Sequence, residues 1–69
     1  MSVTAKVTAK EANIYTVEFW NDNDNIRIMK SPLKSSGNKA KVESEIHKQF
    51  KNFNGPLWGG MSIVWMIKV

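Results

Sequence analysis

Apolar and polar residues alternate along four stretches of this chain. Val3, Ala5 and Val7 share one parity, as do Tyr15, Val17 and Phe19, then Ile26 and Ile28, then Met61, Ile63, Trp65 and Ile67. A strand sends successive side chains to opposite faces, so this rhythm predicts one sheet with one buried face. The predicted strands run from Ser2 to Lys10, Ile14 to Trp20, Ile26 to Lys30 and Met61 to Val69. Lys10-Glu11-Ala12-Asn13 turns the chain after the first strand, with Asn13 suited to a left-handed backbone position. Asn21-Asp22-Asn23-Asp24-Asn25 is a hairpin loop of residues that hydrogen-bond their own backbone. Pro32, which has no N–H for a ladder, stops the third strand.

Between the third and fourth strands the period changes. Val42, Ile46, Phe50 and Phe53 recur at helical spacing and predict a helix from Lys39 to Phe53. Asn38 is its N-cap, and Asn54-Gly55-Pro56 is its stop. Ser31 to Asn38 is a polar connection. The order β-β-β-α-β describes a single α+β domain over residues 1–69, with one helix on one face of a four-stranded, mostly antiparallel sheet. A three-stranded meander and then a right-handed crossover place strand four parallel to strand one, in the order 4-1-2-3.

Composition narrows the class. A chain of 69 residues without cysteine must be held together by packing or by a partner subunit. The net charge of +4 favours anionic partners: nucleic acid, an acidic protein surface or anionic lipid. The N-terminal residues lack the apolar core of a signal peptide, and the most apolar run, Met61 to Ile67, is far shorter than a bilayer requires. The expectation is a cytoplasmic protein with no membrane partner.

The parity left over from the core is unusual. Alongside Thr, Lys and Glu it carries Trp20, Met29, Val64 and Met66, with Arg27 beside them, and no second helix exists to cover it. Tryptophan, methionine and arginine are enriched at interface cores, so Trp20, Arg27, Met29 and Met66 are the expected protein-binding residues. Strand four is apolar on both parities from Ile63 to Ile67, although the topology sets it at an edge. That combination means either that strand four is central after all, or that residues 61–69 pair with another copy, as a homodimer, or with a partner.

Nucleic acid is the competing partner. Arg27, Lys30, Lys34, Lys39 and Lys41 fall in a stretch without an acidic residue, and Lys6 and Lys10 lie on the outward parity of strand one. These are the expected steering or phosphate contacts. Trp20 and Trp58, the latter in a glycine-rich loop, could stack on unpaired bases. The plainer reading is a solvated lysine-rich loop with Trp58 folded onto the helix end.

Other chemistries find little support. Asp22-Asn23-Asp24-Asn25 begins like a calcium loop, but Arg27 stands where glycine is needed and no glutamate closes it. His47 is the sole imidazole and has no oriented nucleophile. Glu43 and Glu45 are two apart on a helix and do not face each other. No metal, cofactor or catalytic site is expected. The expected function is a non-enzymatic binding protein that docks on a larger protein or protein–nucleic-acid complex and inhibits or modulates it. The alternative is direct binding of single-stranded nucleic acid.

Overall fold

The computed structural model describes residues 2–54 and 60–68. Strand β1 spans Val3–Glu11, β2 Ile14–Asn21 and β3 Ile26–Lys34; helix α1 spans Lys39–Gln49, a 3₁₀ turn comes next at Lys51–Asn54, and β4 spans Met61–Trp65. The sheet order is β3-β2-β1-β4. β1 pairs antiparallel with β2 and β2 with β3, whereas β4 lies parallel to β1. This is the α+β arrangement that the alternation predicts, with β4 at an edge. Among the described residues no helix is long and apolar enough to cross a membrane.

The inward parity forms the core. Val3, Ala5, Val7, Tyr15, Val17, Phe19 and Leu33 on the strands, and Val42 and Ile46 on the helix, are all buried. Met61, Ile63, Trp65 and Ile67 pack against this cluster but stay only partly buried. The helix starts where Asn38 Oδ1 accepts the Lys41 backbone N–H at 3.0 Å, satisfying one of the donors that the first turn leaves free.

Two β-bulges re-aim the strands relative to strict alternation. In β1 the register steps from Val7↔Val17 to Ala9↔Thr16, so Thr8 is the extra residue. Beyond it Lys10 pairs with Tyr15 and shares the helix-side face, correcting the outward position expected for it. In β3 the register steps from Arg27↔Trp20 to Met29↔Phe19, leaving Ile28 unpaired. Met29 consequently packs on the core, while Ile26 and Ile28, expected inside, are 61% and 37% exposed. The bulge therefore reverses the expected outward position of Met29 and takes Ile28 out of the ladder, whereas Ile26 keeps the helix-side parity opposite Asn21 but is exposed at the hairpin end instead of buried.

Other boundaries also move. β3 continues through Pro32, which pairs with Thr16, because an edge strand tolerates a residue that cannot donate. This extension carries Leu33 into the core opposite Tyr15. The left-handed residue of the first hairpin is Ala12, with φ 55°, rather than Asn13. The helix ends at Gln49 instead of Phe53. The tighter turn after it brings Phe50 and Phe53 to 4.5 and 5.0 Å from the Phe19 ring centroid. β4 ends at Trp65 instead of Val69; Met66 N–H still bonds Val7 O at 2.9 Å, and the β1 bulge at Thr8 then breaks the ladder. Gly55, Pro56 and Val69 lie outside the described residues.

Candidate binding surface

The helix occupies one side of the sheet, and among the described residues no element packs on the other. The outward positions of β2 define the middle of this bare face. Trp20 comes directly after the buried Phe19, so alternation alone directs its indole outward. It is only half-buried, opposite Thr4 on β1 and Arg27 on β3.

Four side chains hold one another here. Lys6 Nζ lies 4.4 Å from the centroid of the Trp20 ring, a cation–π distance. The Trp20 indole N–H donates to Glu18 Oε1 at 3.1 Å. Glu18 Oε2 stands 3.7 Å from an Arg27 guanidinium nitrogen. In register, Glu18 sits between Lys6 on β1 and Lys30 on β3. The carboxylate thus orients the indole and the guanidinium together, and Arg27 keeps about half of its side-chain surface exposed (51%). The ion pair is partly solvated and adds only ~0–1 kcal/mol to stability, so its main effect is positional.

The hairpin beyond Trp20 is braced. Asp22 accepts hydrogen bonds from Ser2 Oγ at 2.9 Å and from Thr4 Oγ1, and its backbone N–H donates to Ser2 O at 3.0 Å. Asn21 Oδ1 accepts the Asn23 N–H at 3.0 Å, and Asn25 takes φ 54°. The acidic run that resembles a calcium loop is accordingly a turn that ties β2–β3 to the start of β1.

The remaining expected site residues separate. Lys30 and Lys34 lie on the outward side of β3, opposite Glu18 and Ile14. Lys10 Nζ is 5.5 Å from the Tyr15 ring and Lys39 Nζ is 5.0 Å from the Trp65 ring, both on the helix side. Trp65 itself meets Tyr15 edge-on at 6.0 Å, and its indole N–H donates to Glu43 Oε2 at 2.8 Å. Lys41 sits in the first turn of the helix, and Gly37 passes so close that an added Cβ would meet the Lys41 side chain. The basic stretch therefore divides between two faces.

Met66 is 60% exposed and shares the outer face with Val64, 41% exposed. Val64 pairs with Lys6, but Met66 lies two strands and four positions from the Trp20 level, about 16 Å away by strand geometry. Met66 and Trp20 are thus separate zones of one face. Met29 belongs to the core side and leaves the set. Trp58 lies outside the described residues.

Glu18 is the residue that residue-type reasoning passed over. Its signal was available: it is the carboxylate on the outward parity of strand two, flanked in sequence by Val17 and Phe19 of the core. No family model, curated protein or solved structure matches this chain.

Proposed function

We propose that this chain is a non-catalytic binding protein that docks on an acidic surface of a larger protein or protein–nucleic-acid complex and inhibits or modulates it by occlusion. The contact residues are Lys6, Trp20, Arg27 and Lys30 in the middle of the bare sheet face, with Val64 and Met66 at its β4 flank. The observation that carries this reading is an indole held on an uncovered sheet face, with a lysine over its ring and an arginine beside it. A tryptophan fixed in advance by Glu18 loses little freedom on contact, and arginine beside it supplies direction; both residue types dominate interface energetics. Lys34 at the end of the same strand adds to the field that guides encounter.

A second reading rests on the same four residues. An indole between two cations also suits an unpaired base whose phosphates reach Lys6 and Arg27. One experiment separates them. Wild-type protein and a Lys6→Glu/Arg27→Glu variant are immobilised and exposed to extract of the source cells, with and without nuclease. Nuclease-resistant capture of one defined partner by the wild type, lost in the variant, supports protein docking. Equal capture by both proteins overturns it. Quenching of tryptophan fluorescence by a single-stranded dT oligonucleotide at low salt, lost at high salt and in the variant, supports the second reading.

A further inference from the structure

We propose that two copies of this chain pair antiparallel through their β4 edges, about a two-fold axis at Ile63, to form one eight-stranded sheet. This inference is independent of the partner proposed above.

The sheet has two edges, and they are treated differently. β3 carries the devices that discourage edge pairing: Lys30, Pro32 and Lys34, and a bulge at Ile28. β4 carries none of them: Met61-Ser62-Ile63-Val64-Trp65 has no charge, no proline and no register shift. The chain has a net charge of +4, yet no charged residue stands between Lys51 and Lys68. Among the described residues, the lysines are kept off the edge that lacks other protection.

The backbone of β4 fits a copy of itself. Val3 N–H bonds Gly60 O at 3.1 Å and Met66 N–H bonds Val7 O at 2.9 Å. A parallel ladder alternates every two residues, so Gly60, Ser62, Val64 and Met66 face β1. Met61, Ile63 and Trp65 therefore direct their N–H and C=O groups to the free edge. Antiparallel pairing centred on Ile63 sets Ile63 opposite its own copy and Met61 opposite the copy's Trp65. Every outward N–H then meets an outward carbonyl, giving about six hydrogen bonds, two for each of these residues across the pair. No other register centred on this five-residue strand uses all three.

The side chains agree. Met61, Ile63 and Trp65 point to the helix side and are only partly buried, whereas their β1 neighbours Val3, Ala5 and Val7 are fully buried. Pairing would place a second row of the same apolar residues against them and extend the core across the axis. A small single-domain core gains stability from such an addition. A two-fold interface requires a self-complementary surface, and an uncharged strand with its free groups symmetric about Ile63 is one.

Analytical ultracentrifugation from about 1 to 200 µM tests this, because edge pairing of this size implies dissociation in the micromolar range. The chain is short enough for chemical synthesis, which allows N-methylation of Ile63. That change removes an edge N–H, keeps the side chain and spares the β1 ladder. The wild type is expected to sediment as a dimer at the upper concentrations, and N-methyl-Ile63 is expected to weaken dimerisation by about tenfold or more. Ser62→Lys, at an exposed position opposite Thr4, is expected to do the same through charge. Circular dichroism verifies that each variant is folded. A monomer at 200 µM, or a dimer indifferent to both variants when folded, overturns the proposal.

Discussion

Phe19 and Trp20 are adjacent aromatic residues on opposite faces of β2, and truncating each to alanine should give unequal results. Phe19 is fully buried, stacked near Phe50 and Phe53 and paired with Met29. Removing such a ring costs about 3–5 kcal/mol, through lost transfer energy and the cavity left behind. A 69-residue domain without disulfides has a total stability of about 3–5 kcal/mol. Phe19→Ala should therefore consume nearly all of it. Trp20 is half-buried beneath Lys6 on a face where, among the described residues, no layer opposes it. Its removal loses a cation–π contact of about 0.5–1 kcal/mol and part of its apolar burial, about 1–1.5 kcal/mol together. Urea unfolding monitored by far-ultraviolet circular dichroism reads both without depending on tryptophan emission. At a slope of about 1 kcal/mol/M, Trp20→Ala should lower the midpoint by about 1–1.5 M, and Phe19→Ala should leave no cooperative transition. A cooperative Phe19→Ala with an unfolded Trp20→Ala would refute the face assignment on which the binding surface rests.

Two further perturbations test the local geometry. Ala12 holds φ 55°, a conformation that costs an L-residue about 1–2 kcal/mol, so Ala12→Gly should stabilise the protein by about 0.5–1 kcal/mol after the entropy of glycine is counted; an unchanged or lower urea midpoint contradicts this. The bulge in β3 makes Ile28→Lys nearly neutral and Met29→Lys costly by about 2 kcal/mol or more, and thermal melts showing the reverse order would restore strict alternation in that strand.

The α+β class, the strand order and most of the core are legible in period-two and helical spacing. Val3 to Val7 and Tyr15 to Phe19 alternate without interruption until the bulge positions, so their faces could be read directly. The readable signal fails where one extra residue is inserted. Nothing in Thr8 or Ile28 as residue types announces a bulge, and each reverses the faces of the residues beyond it, moving Lys10 and Met29 to the helix side. Pro32 misled for a different reason: it ends a central strand but not an edge strand, and edge position is a property of the finished sheet. Trp20, Lys6 and Arg27 were legible as outward residues, whereas Lys30 shares the parity of Ile26 and Ile28 and is turned outward only by the bulge. The convergence of these residues on Glu18 was not legible, because cross-strand register depends on the bulges.

The central claim is that the sheet face opposite α1 is the contact surface. Site-specific photo-crosslinking measures this most directly, with a benzophenone amino acid placed at Thr16 on that face or at Ser44 on the exposed side of the helix. Activated in the source cells, the Thr16 probe should yield one defined adduct that disappears when Arg27 is changed to Glu, while the Ser44 probe yields none. The same adduct from Ser44 and not from Thr16 would assign contact to the helix and contradict the account.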